Sequence, residues 1–229
     1  MESRCENCII RQFNSLRALS KEELKKVSNA KISKKIKKGD ALFSEGQKLD
    51  GVYCVRNGVS KLSKLSSNGK EQIVKLINRG EIMGQRSVIA EDYTNLSATA
   101  INDMEVCFIP KEIITTTLNT NPYFSLEVLR HMAHDLKEAD DVIVNMSQKT
   151  VKQRLAEALL YLKKNYGEDE NGFLLLTLSR DDYANIVGAA TESLIRMLSD
   201  FKKKGLIKTE GKKIGIVNDC AIKELIDGF

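Results

Sequence analysis

The 229-residue sequence predicts an α+β protein: an antiparallel β-roll of the cupin-like jelly-roll kind, then one long helix, then a winged helix-turn-helix. Three observations predict it. Glycines cut the stretch from Ile32 to Pro110 into short strand-like pieces; an apolar seam of helical period runs from Pro122 to Ser147; and a capped helical pair around Gly188 is followed by two short strands. The corresponding segments are 1–118, 119–148 and 149–229.

In the first segment, Gly39, Gly46, Gly51, Gly58, Gly69, Gly80 and Gly84 punctuate the pattern. Two Asn-Gly pairs, Asn57-Gly58 and Asn68-Gly69, each lie between strand-like runs, and both residue types tolerate the positive φ that tight hairpins need. Several short strands at this spacing predict a barrel or roll. The second segment carries Leu129, Met132, Leu136, Ala139, Ile143 and Met146 at alternating spacings of three and four, a heptad seam. Charged residues occupy the other faces, so the apolar strip is narrow. A narrow strip suits pairing with a symmetry mate, which predicts a parallel homodimer; packing against the chain's own roll is the alternative.

The third segment contains "LSRDDYANIVGAATESLIRMLSDFKKKGLI". Ser179 can cap a first helix, with Asp182 three residues later completing a capping box. Gly188 supplies the turn, and a second helix is predicted over about Thr191 to Lys204. Ala184, Ile186 and Val187 face Leu194, Met197, Leu198 and Phe201 as the apolar inside of two crossed helices. "LIKTEGKKIGIV" follows as a wing of two strands around a basic turn. Such a module reads double-stranded DNA. Glu192 and Arg196, four apart, project from one helix face; glutamate can accept from cytosine N4 and arginine can bind guanine O6 and N7 in bidentate fashion. Ser179, Arg180, Thr191, Ser193 and Lys202 are the further candidate contacts, with Ser179, Thr191 and the lysines on phosphates. The plain alternative for Glu192 and Arg196 is an ion pair between successive helical turns.

Bulk properties narrow the classes. No apolar run reaches the length of a membrane span and no signal-peptide core is present, so the sequence reads as cytoplasmic, with no membrane partner. The five cysteines, Cys5, Cys8, Cys54, Cys107 and Cys220, are odd in number and scattered, which fits a reducing compartment rather than a disulfide framework. Net charge is +5, and from residue 149 onward 14 Lys/Arg face 12 Asp/Glu, so total charge does not by itself indicate nucleic acid. Clustering does: Lys202, Lys203, Lys204, Lys208, Lys212 and Lys213 have only Glu210 among them as an acid. His131 and His134 lack further matched ligands for zinc and read as surface residues.

The order of roll, seam helix and winged module, covering nearly the whole chain, resembles the Crp/Fnr transcription regulators. "IKKGDALFSEGQKLDGVYCVRNGVSKL" resembles the opening of that family's roll, a cyclic-nucleotide-binding-like fold, and "ATESLIRML" resembles its recognition helix, with Glu192 and Arg196 at matching positions. The family's usual serine beside the arginine is Ile195 here, so its exact operator does not carry over. The resemblance implies a homodimer on an inverted repeat, RNA polymerase as a partner, and no enzymatic activity. In the cyclic-nucleotide branch a glutamate binds the ribose and an Arg-Ser pair the phosphate; the matching positions are Gln85 and Leu96 with Ser97, and leucine cannot neutralise a phosphate. Arg86 is nearby but out of register, so the pattern for a cyclic nucleotide is not met.

The oxygen-sensing branch instead holds an iron–sulfur cluster through N-terminal cysteines and one late in the roll. Cys5 and Cys8 match two of these and Cys107 the distal one, which makes them the candidate cluster ligands; the remaining position falls near Asn14, a poor substitute for a thiolate. Cys54 completes the set only if the roll brings it close; a carboxylate such as Glu6 or an exogenous ligand stays open. Cys54 and Cys107 can equally be small core residues, and Cys220 has no apparent partner. A thiol switch, another roll ligand, a thiol redox enzyme built on Cys5-x-x-Cys8 and a protein-binding scaffold are the alternatives. Against the enzyme, no strand precedes the Cys-x-x-Cys pair. The seam itself carries no charge, so a signal held in the roll would reorient the winged domains of a standing dimer.

Overall fold

A computed structural model describes residues 4–227. Short 3-10 turns at Cys5–Asn7, Ile9–Phe13 and Ser15–Ala18 lead into α1 (Lys21–Ala30). Strands β1 (Ile32–Ile36), β2 (Ala41–Phe43), β3 (Gly51–Asn57), β4 (Ser60–Leu65), β5 (Glu71–Ile77) and β6 (Ile82–Met83) come next. Then follow α2 (Gln85–Ala90), β7 (Ser97–Ala100), β8 (Met104–Pro110), α3 (Lys111–Thr120) and α4 (Pro122–Gln148). The remainder forms α5 (Val151–Tyr166), α6 (Arg180–Val187), α7 (Thr191–Lys203), β9 (Ile207–Glu210), β10 (Lys213–Ile216) and α8 (Asp219–Asp227). No helix among the described residues is long and apolar enough to cross a membrane. The chain divides into two compact units, residues up to Lys64 with Val74–Ala139, and Leu65–Ile73 with the chain from Asp140 onward.

The first unit is built on two four-stranded sheets, in the orders β1-β8-β3-β6 and β2-β7-β4-β5. Their antiparallel pairings make the predicted roll. Strand β3 is buried from Gly51 to Val55, on both of its faces. One face meets the other sheet, where the Tyr53 ring lies 6.0 Å from that of Phe43 on β2. Side chains alternate across a strand, so Cys54 points the opposite way, to the side where α1 and α3 pack on β8 and β3 and where Asn14 of the N-terminal segment reaches Cys54. That double cover explains why β3 and β8 read as nearly continuous apolar runs.

The two Asn-Gly pairs behave differently. Asn68-Gly69 turns the chain between the neighbouring strands β4 and β5, with Gly69 at φ +78 and Ser66 N donating to the Lys70 carbonyl at 2.9 Å. Asn57-Gly58 does not make the expected hairpin. Strands β3 and β4 belong to different sheets, so this pair is a corner: Val59 N donates to Asn102 Oδ1 at 2.8 Å and Ile101 N to the Val59 carbonyl at 2.8 Å. Gly58, at φ +86, is still required, since a Cβ there would stand 2.6 Å from the Asp103 carbonyl oxygen.

Strand β5 is tied to α4 by Lys75, whose ammonium lies 2.7 Å from Asp135, 2.8 Å from Glu138 and 3.4 Å from Glu81. Despite the cost of burial, hydrogen bonds to Asp135 and Glu138 and the charge of Glu81 hold the Lys75 pKa above its ordinary 10.5. Its contribution to stability is therefore complete below pH 10.5 and is lost only as pH rises through the folded-state value. Lys75→Met should cost about 1–3 kcal/mol at pH 7, because three carboxylates then face one another without a cation. Urea unfolding should show the deficit shrinking as pH falls and Glu81, whose carboxyl burial holds above the usual range against Asn78 N and Lys75, takes up its proton; a pH-independent deficit would mean that lost packing, not charge, is responsible.

In the second unit, α5, α6 and α7 bury Leu155, Leu159, Leu162, Tyr183, Leu194 and Phe201. Capping boxes start α5 (Thr150 with Gln153) and α6 (Ser179 with Asp182). Gly188 ends α6 in the left-handed region at φ +64, as the turn demands. Ile186 and Met197, expected inside, are half-buried at the margin of the crossing. Helices α5 and α8 pack together and complete the unit around β9 and β10, the predicted wing.

Candidate nucleic-acid interface and cysteine site

Helix α7 buries Leu194, Leu198 and Phe201 and turns Glu192, Ile195, Arg196, Ser199, Lys202 and Lys203 to solvent. Residues 194, 198 and 201 fall on one side at helical spacing, so the exposed set follows from the same period. Glu192 and Arg196 lie on that outer face, and among the described residues they form no ion pair with each other. Arg196 instead approaches Ser193 Oγ at 3.5 Å. Thr191, half-buried, donates to Asp181 Oδ1 at 2.7 Å and ties the start of α7 to the first turn of α6.

Two of the expected contacts are structural first. The Ser179 hydroxyl donates to Asp182 Oδ2 at 2.6 Å and accepts from Asp182 N at 3.0 Å, so the cap occupies it. The Arg180 guanidinium donates to the carbonyls of Gly211 at 3.1 Å and Lys212 at 3.3 Å, clamping the wing turn to α6. Among the clustered lysines, Lys204 pairs with Asp200 at 2.9 Å, and Lys208 and Lys213 stand 5.0 and 5.7 Å from the Phe173 ring centroid. Lys202, Lys203 and Lys212 are exposed beside them. A convex helix face with a carboxylate and a guanidinium, flanked by a basic wing, can enter a major groove while lysines meet phosphates.

The cysteines come together from three parts of the chain. Cys54 and Cys107 are directly opposite in the antiparallel pairing of β3 with β8, so their side chains share one face. On that face, Asn14 Nδ2 lies 3.5 Å from Cys54 Sγ and Lys31 Nζ 3.8 Å from Cys107 Sγ. Cys5 is buried, its backbone N donating to Ser28 Oγ of α1 at 2.7 Å. Cys8 is half-buried against the same core. Burial raises the Cys5 thiol pKa, with Lys31 and Ser28 opposing and Cys107 and Cys8 adding to it. Burial, then the neighbouring Cys107 and Cys8 thiols, push Cys54 up to about 12, against the hydrogen bond from Asn14 and with a further contribution from Cys5. Four thiols therefore share one electrostatic neighbourhood. Among the described residues, no three His, Cys, Asp or Glu side chains are arranged to hold a single metal ion.

Cys220 is exposed at the start of α8, and His134 is exposed with Nδ1 3.5 Å from Glu138. Leu96 is buried and Arg86 exposed. The grouping of Cys54 with the other thiols depends on strand register; only its apolar strand context was visible in sequence.

A roll, a long helix with an open apolar seam and an exposed recognition helix beside a basic wing define a DNA-binding transcription regulator. Residues 33–121 match the family model of the cyclic nucleotide-binding domain and residues 153–225 that of the Crp-like helix-turn-helix domain. The chain belongs to the Crp/Fnr family. It is 30% identical over 226 residues to the fumarate and nitrate reduction regulatory protein of Escherichia coli K12, covering 96% of this chain and 89% of that one. It is likewise 30% identical to the anaerobic regulatory protein of Aggregatibacter actinomycetemcomitans, covering 96% and 87%. Among solved structures, a transcriptional regulator assigned to the Crp/Fnr family from Eubacterium rectale shares the fold, with a TM-score of 0.80 at 21% identity over 93% of this chain and 97% of the other.

Proposed function

We propose that this regulator is a homodimer that reads an inverted repeat through Glu192 and Arg196 of each chain and responds to oxygen or redox state through its clustered thiols. The observation that carries the DNA reading is the outer face of α7, where these two side chains are exposed, four residues apart and not paired with each other. Thr191, Ser193 and Lys202 flank them as phosphate or base neighbours, while Ser179 and Arg180 hold α6 and the wing in register. The seam of α4 supports pairing, and RNA polymerase is the further partner that membership of the family implies. The names of the relatives, an anaerobic regulatory protein and a fumarate and nitrate reduction regulator, support a response to oxygen supply.

The donor set fits an iron–sulfur cluster better than a lone ion. Each cysteine of a four-iron cluster binds a different iron, so its thiolates line a cage rather than converge on one point. Cys5, Cys8 and Cys107 would hold it, supported by the buried ammonium of Lys31 beside Cys107, which offsets thiolate charge. Such a cluster would supply a redox centre open to oxidation. Against a redox enzyme, Cys5 opens a 3-10 turn that packs on α1, with Cys8 at its end, and burial raises the Cys5 thiol rather than activating it.

Selection of binding sites from random duplexes tests the DNA assignment. Arg196→Ala should lose discrimination at one base pair in each half-site, about 1–3 kcal/mol apiece, while general affinity and its salt dependence persist. An unchanged sequence preference would contradict it.

A further inference from the structure

We propose that Cys54 is the fourth thiolate of this site, standing in for the cysteine that Asn14 replaces. The inference rests on the cluster reading above and concerns which side chain completes it. Asn14 cannot serve. It is buried, its Oδ1 accepts from Leu16 N at 3.0 Å, and its Nδ2 donates to the Gly80 carbonyl at 2.8 Å, so the amide is committed to capping the turn at Ser15–Ala18 and anchoring it to the roll. An amide oxygen is also a far weaker iron donor than a thiolate.

The same amide touches Cys54, at 3.5 Å from Sγ. The vacancy in the ligand pattern and the extra thiol are thus neighbours in space, although 40 residues separate them in sequence. Cys54 also lies directly opposite Cys107, and paired residues of antiparallel strands hold their Cβ atoms about 4.5–5.5 Å apart on one face. Cys107, Cys8 and Cys5 are all near enough to act on its thiol. The two central strands of one sheet and the N-terminal segment therefore bring four thiols within reach of one another, two from each.

Glu6, the carboxylate alternative, is held below the usual carboxylate range by a backbone hydrogen bond, by Ser28 and by the charges of Arg4 and Lys25, and its Oε2 is buried without a hydrogen-bond partner; as a carboxylate it is a weaker cluster ligand than a fourth thiolate. Ligation at Cys54 is a proton-for-iron exchange, in which the thiol releases its proton to solvent and the sulfur lone pair binds iron, with no change of oxidation state. A coordinating thiol gives up its proton outright, and the positive charge of the iron offsets the cost that burial sets on the thiolate. Asn14 Nδ2–H then serves as a hydrogen-bond donor to the ligand sulfur, a contact of the kind that tunes cluster potential.

The test uses the full chain, purified anaerobically or reconstituted with ferrous iron and sulfide. Iron, acid-labile sulfide and visible absorption are measured for the wild type, Cys5→Ser, Cys54→Ala and the double variant Cys54→Ala/Asn14→Cys. The wild type should carry a cluster, Cys5→Ser should bleach it, and Cys54→Ala should lower iron per chain roughly tenfold or more. The double variant should recover it, because a thiol at position 14 returns to the place of the contacting amide. A colourless, iron-free wild type would end the cluster reading itself. An iron-loaded wild type with Cys54→Ala equally loaded and spectrally unchanged would overturn the Cys54 assignment alone. Should Cys54→Ala lose its fold by circular dichroism, Mössbauer spectra of the wild type decide: all-sulfur coordination at every iron supports Cys54, and one iron site with an oxygen or nitrogen ligand overturns it.

Discussion

Leu136→Glu is expected to leave each chain folded and to abolish pairing, raising the dimer dissociation constant by about a thousandfold or more. Leu129, Leu136 and Ile143 are 61%, 65% and 65% exposed and lie seven residues apart along α4, a stripe too regular and too open to belong to the chain's own core. Val128 and Phe124, on the adjoining side of the helix, are the residues that bury against the roll. Burial of each seam leucine against a symmetry mate contributes about 1.5–3 kcal/mol. By symmetry the substitution removes two of them and sets two carboxylates facing each other in an apolar seam, and a net loss near 4 kcal/mol corresponds to the thousandfold figure. Sedimentation should give a monomer, and affinity for an inverted repeat should fall to that for a single half-site. A variant that stays dimeric would place the symmetry axis elsewhere.

What was legible in the sequence was what local chemistry decides. The capping box at Ser179, the left-handed turn at Gly188 and the apolar spacing of Leu194, Leu198 and Phe201 each depend on residues within one or two helical turns, and each formed as read. Asn57-Gly58 misled because turn propensity states how a chain bends and not which sheet receives the next strand; Asn102, more than 40 residues on, decides that. The bond of Arg180 to the wing is not legible in sequence, because nothing local announces that the wing turn will present two carbonyls to it. The proximity of Cys54 to Cys107 is a matter of register between strands 53 residues apart, for which alternating hydrophobicity carries no information when both faces are buried.

Phe201→Ala isolates the seating of the recognition helix. Phe201 is fully buried, together with Leu155, Leu159, Leu162, Leu178, Tyr183 and Leu194 at 1% exposure or less. Truncating a buried phenylalanine removes its transfer free energy and leaves a cavity, at about 3–5 kcal/mol. Against the roughly 5–15 kcal/mol that stabilises an ordinary domain, that is a large fraction, and for a unit of this size it lowers the melting point by on the order of 15 °C or more. The side chain lies across α7 from Arg196, so the substitution touches no group offered to DNA. Calorimetry should therefore show the transition of the second unit moving down while that of the first stays, with DNA binding lost at the lower temperature. Arg196→Ala should do the reverse, losing sequence selection with an unchanged melting profile. Equal melting for both variants would mean that Phe201 does not seat α7, and the exposure of Glu192 and Arg196 would then need another cause.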